Sequence, residues 1–121
     1  MNARSVKRGK PAVVRRGRNL SAARLDRLID DAIVDAYGED EQRIGFLTML
    51  EDNLVLPFET IVLGVPVVVE KLDLSEAEEI VAICRRGKTR QAVPILALPL
   101  PTPAPAGAEW IQAYRRWAHR R

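Results

Sequence analysis

The spacing of apolar positions divides the chain into a helical first half and a β-rich second half. Leu25, Leu28, Ile29, Ala32 and Ile33 recur every three or four residues behind Ser21. That rhythm, with serine as N-cap, predicts an amphipathic helix from about Ala22 to Ala36. Gly38 can supply the left-handed turn that ends it. Glu39, Asp40 and Glu41 then stand where the N-terminus of a second helix favours negative charge. Ile44, Leu47, Leu50 and Leu54 are expected on the buried face of that second helix, and Pro57 stops it. Beyond Phe58 the pattern changes to β-branched runs: Thr60 to Leu63, Val65 to Lys71, Ile80 to Arg85 and Gln91 to Leu96. Arg86-Gly87-Lys88-Thr89 reads as a hairpin turn between the last two. Four short strands as a flat sheet would leave one face uncovered, so an α+β fold with a small SH3-like antiparallel β-barrel is expected. Pro99, Pro101, Pro103 and Pro105 predict an extended strap. It leads to a C-terminal helix whose stripe of Trp110, Ala113, Tyr114 and Trp117 should dock on the domain.

Charge changes this picture more than composition does. With 47% hydrophobic and 29% charged residues the chain is ordinary globular material, and 121 residues suit one domain. The formal net charge of +3 conceals a segregation. Residues 1–24 carry eight Lys or Arg and no acid, and residues 28–59 carry nine acids against Arg43 alone, a net of −8. The last 21 residues are basic again, with Arg115, Arg116, Arg120 and Arg121 against Glu109. The first 20 residues pair self-repelling charge with helix breakers and are expected to form a disordered basic tail ahead of a single domain over 21–121. The longest apolar stretch, Ile61 to Val69, is broken by Gly64 and Pro66 and is too short to cross a bilayer. No apolar segment of signal-peptide length follows the basic start, and one cysteine cannot close an internal disulfide, so a cytoplasmic setting is expected.

Candidate chemistry is narrow. His119 is the single histidine, and Cys84 lies in an apolar strand run, where a structural role is expected. No phosphate-binding glycine loop, serine elbow or zinc spacing occurs, so a non-enzymatic role is expected. The acidic block remains. A run of acids is usually a solvated helix face, yet Asp35 is expected in the last turn of the first helix, and Glu51 and Asp52 in that of the second. There the helix dipole disfavours negative charge. A hard cation would compensate it, and calcium accepts six to eight oxygen ligands in irregular geometry. The EF-hand pattern is absent, since Phe46 occupies the twelfth position from Asp35. Glu41 and Glu51 are ten residues apart, roughly 15 Å along a helix, so no single ion bridges them. The first candidate site therefore gathers Asp35, Glu39 and Glu41, and a second, weaker one Glu51 and Asp52, with Glu59 nearby.

At the same residues the sequence resembles the small bacterial calcium-binding proteins of the CcbP type. The likeness lies in Asp35-Ala36-Tyr37-Gly38-Glu39-Asp40-Glu41-Gln42, Gly45-Phe46, Leu50-Glu51-Asp52-Asn53-Leu54 and Pro57-Phe58, and continues more loosely to about Leu98. The resemblance implies a compact protein that binds calcium through surface carboxylates, as a buffer or sensor. The positions it carries over are Asp35, Glu39, Glu41, Glu51 and Asp52. The basic tail, the proline strap and the aromatic helix depart from the pattern. Two other classes compete with calcium binding. One is a nucleic-acid module using the basic ends, weakened by the lack of exposed aromatics on the strands. The other is an adaptor that docks a protein partner on the acidic face.

Overall fold

The computed structural model describes residues 20–120. The expected disordered tail falls almost wholly outside them. Helix α1 spans Ala22–Ile33, and Ser21 caps it by accepting the Arg24 N–H at 3.1 Å. Leu28, Ile29 and Ala32 are buried, as their spacing predicts. The helix stops three residues before Ala36. Val34 is extended and Asp35 takes the left-handed conformation at φ 62°, one that aspartate tolerates better than most residues. Gly38 is extended instead, at φ −126°, and serves as N-cap of helix α2, Glu39–Asn53.

Of the four residues expected on the buried face of α2, Leu50 and Leu54 are buried and Leu47 packs partly buried against the core, while Ile44 does neither. Phe46 and Leu50 are fully buried, with Leu54 just past the helix end, whereas Ile44 is 46% exposed. Ile44 and Phe46 stand roughly 200° apart around a helix, so they cannot share a face. The stripe that packs runs through Gln42, Gly45, Phe46, Met49 and Leu50. Gly45 sets it: a Cβ there would lie 2.1 Å from the Ala32 carbonyl oxygen, so α1 and α2 cross in backbone contact.

Four strands follow as an antiparallel meander in the order β1-β2-β3-β4. They are β1 (Phe58–Val62), β2 (Val65–Leu74), β3 (Ile80–Arg86) and β4 (Thr89–Pro94). Leu63 and Gly64, both at positive φ, form the first turn, and Arg86 pairs with Thr89 across the expected Gly87-Lys88 turn. A bulge at Glu70 breaks the β2–β3 register. Glu70 accepts the Arg85 and Arg90 Nε–H groups at 2.6 and 2.8 Å.

The sheet is open. The expected SH3-like barrel would require β1 to pair with β4, and it does not. One face is covered by helices instead: Val69, Leu72, Ile80, Ala82 and Cys84 share a core with α1, α2 and helix α3, Glu109–His119. Burial raises the Cys84 thiol above its ordinary pKa. After a short 3₁₀ turn at Ile95–Ala97 the proline strap passes β1, where the buried Thr60 hydroxyl donates to the Pro99 carbonyl at 2.6 Å. The strap bends at Thr102 and Pro103 rather than staying extended. Arg115 of α3 clamps its start, donating to the carbonyls of Ile95 and Leu98. Its end meets the exit of α2: Val55 N–H donates to Ala106 at 2.9 Å, and a Cβ on Gly107 would lie 2.1 Å from the Asn53 carbonyl oxygen.

The aromatic stripe of α3 packs as expected. Trp110, Ala113, Tyr114 and Trp117 are buried. Phe46 meets Tyr114 edge-on at 5.4 Å between centroids and lies 5.3 Å from Trp117. Tyr114 and Trp117 stack at 5.6 Å. Arg116 and Arg120 fasten α3 to α1 through Asp26, at 2.8 and 3.0 Å.

Candidate metal centre

The α1–α2 junction is a short loop held from both sides. Asp35, at its left-handed corner, is exposed. Tyr37 N–H donates to Glu41 Oε1 at 2.8 Å, so a carboxylate from the first turn of α2 reaches back and caps the loop. Gln42 supports the other side: its Nε2 lies 3.5 Å from the Ala36 carbonyl, and its Oε1 accepts the Trp117 Nε1–H at 2.9 Å. The loop is thereby tied to the aromatic core. Arg43 lies over the Trp117 ring at 5.5 Å and reaches Glu39 and Asp40 at 3.7 and 3.5 Å.

Asp35, Glu39 and Glu41 all belong to this junction, and all three are exposed. Glu51 and Asp52 are exposed in the last turn of α2. Among the described residues no three acidic, histidine or cysteine side chains converge into a preformed metal cage. Asp35 lies past α1 rather than in its last turn. Asp30 and Asp31 occupy that turn, so the unfavourable dipole falls on them. No basic residue stands in the last turn of either α1 or α2. Among the described residues, no Lys, Arg or His forms an ion pair with Asp35, Glu41, Glu51 or Asp52.

The donor set decides which metal suits the junction. It offers carboxylate and backbone oxygens only. Cys84 is buried in the sheet and His119 lies at the end of α3. Hard oxygen donors on an exposed turn fit calcium and do not fit the transition metals that take thiolate or imidazole. Gln42 and Arg43 were missed as supports of this junction. The one signal they offered was position, an amide and a lone cation directly after three acids.

The chain belongs to the CcbP-type family of calcium-binding proteins, whose model matches residues 26–118. Calcium is therefore its ligand. The match takes in the proline strap and the aromatic helix, which correspond to part of the family domain rather than additions to it; residues 1–25 fall outside it. No curated protein and no solved structure matches closely enough to add to this assignment.

Proposed function

We propose that calcium binds at the α1–α2 junction through Asp35, Glu39 and Glu41, with Glu51 and Asp52 as a weaker second locus, and that the chain acts as a calcium sensor. The observation that carries this reading is the double duty of Glu41. Its carboxylate holds the Tyr37 amide, two residues on from Asp35, at 2.8 Å and is also one of the three ligands proposed. A calcium ion that draws Glu41 into its shell competes with that hydrogen bond and loosens the loop. Val34 and Tyr37, 68% and 88% exposed, are the apolar side chains such a movement would re-aim. A buffer would need no such coupling. An amide-resolved NMR titration of the full chain with calcium tests the proposal. The Tyr37 amide should shift first and most, and Asp35→Asn with Glu39→Gln should abolish the response. Binding that leaves Tyr37 unmoved would make the chain a buffer. Shifts confined to residues 51–52 would move the principal site to the end of α2.

A further inference from the structure

The open end of the sheet carries a groove lined by none of the proposed calcium ligands. The helices cover the inner face at Val69, Leu72, Ile80 and Ala82. Register places Val62, Val65 and Val67 on the same face toward the first hairpin turn, and Val93 on it opposite Ala82; each is only partly buried. They line a cavity of about 580 Å³.

Leu63 stands at its rim, 97% exposed and at φ 51°. A two-residue hairpin turn at positive φ favours Asn, Asp or Gly, so an exposed leucine there is disfavoured both by backbone and by solvent. Contact with a partner would offset the second penalty. Arg86 is the one charged side chain among the lining residues, and no carboxylate lines the groove. Along one side β4 is an edge strand with residues 89–92 exposed, which offers backbone hydrogen bonds to an extended chain.

We propose that this groove docks a short extended segment of a partner protein that presents, at alternate positions and so on one face, apolar side chains followed by a carboxylate. The valines take the apolar side chains and Arg86, on the same face, takes the carboxylate. Charge argues against the chain's own residues 1–19 as the occupant, since they carry seven Lys or Arg and no acid. Single-stranded nucleic acid is disfavoured because no aromatic ring lines the groove to stack a base.

The test uses the full isotope-labelled chain and the synthetic peptide Val-Ser-Val-Ser-Glu, whose valines and glutamate share one face when extended, with a lysine-for-glutamate peptide and a short oligothymidylate as comparisons. The glutamate peptide should shift the amides of residues 62–67 and 89–93, and the lysine peptide should not. Arg86→Glu, at an exposed position, should weaken the glutamate peptide by roughly tenfold and give binding to the lysine peptide. Leu63→Ser, also exposed, should weaken both. No shift at millimolar peptide would overturn the proposal, as would indifference to Arg86→Glu. So would oligothymidylate occupying the same residues, or concentration-dependent self-association that covers them in sedimentation.

Discussion

At the scale of single residues, a glycine and an aspartate decide how the helices sit. Gly45 lets α1 and α2 touch through their backbones. Gly45→Ala forces the Ala32 carbonyl away from a Cβ that would otherwise lie 2.1 Å from it. Overpacking of this kind costs about 1–3 kcal/mol, and backbone rather than a pliable side chain must yield here, so the upper end is expected in urea denaturation. Gly38 has open space around its Cβ position and an extended backbone, and Gly38→Ala should stay below about 1 kcal/mol. Asp26 works through charge. The hydrogen bond from Arg116, with help from the charges of Arg116 and Arg120, holds its carboxyl below the ordinary 3.8 despite some opposing desolvation. A depressed folded-state pKa means that its stabilisation is complete above the ordinary value and is lost as pH falls through the folded one. The stability difference between the parent and Asp26→Asn should therefore be constant near neutrality and shrink below about pH 4. A difference that instead vanished between pH 6 and 8 would assign the effect to another group.

At the scale of elements, what was legible in the sequence was whatever a single element determines alone. Ser21 as cap, the α1 stripe, the hairpin at Gly87 and the aromatic face of α3 all follow from local rhythm and turn chemistry. The features misread depend on a neighbour. The inner face of α2 is set by a glycine and a glutamine that do not register as apolar, and Ile44 was expected in the place that Phe46 takes. Barrel closure was expected from strand count, but the decision lay with three helices that cover one face and leave β1 and β4 as edges. The five carboxylates were legible as a composition, whereas the link from Trp117 through Gln42 to the Ala36 carbonyl joins residues 75 apart in the chain and leaves no local trace. That link can be tested. Trp117→Phe keeps a ring against Phe46 and Tyr114 but removes the N–H that Gln42 accepts. It should cost about 1–2 kcal/mol, and shift the Ala36 and Tyr37 amides although nothing in the loop has changed. Trp117→Ala should cost about 3–5 kcal/mol. Unshifted loop amides in the Phe variant would show that the core and the junction are not coupled through Gln42.

At the scale of the whole molecule, charge segregation sets the stability of the metal-free chain against that of the calcium-bound one. Nine acids against one base in residues 28–59 repel one another most strongly in the folded state, where the crossing of α1 on α2 brings Asp30, Asp31 and Asp35 to the same end as Glu39, Asp40 and Glu41. A divalent ion that neutralises this repulsion binds the folded chain in preference to the unfolded one. Linkage then requires stabilisation by RT ln(1 + [L]/Kd), about 2.7 kcal/mol at a hundredfold excess over Kd. For a domain of this size that corresponds to a rise in Tm on the order of 10 °C. Magnesium should raise Tm less, because it holds its water and demands strict octahedral geometry that an exposed turn does not impose. Asp35→Asn with Glu39→Gln should erase most of the calcium effect while leaving the metal-free chain as stable as before or more so, since the repulsion goes with the ligands. Glu51→Gln should trim it only slightly. Melting curves at low salt, with and without millimolar calcium, distinguish these outcomes. A Tm that calcium leaves unmoved, or a double variant as responsive as the parent, would remove the junction as the calcium site.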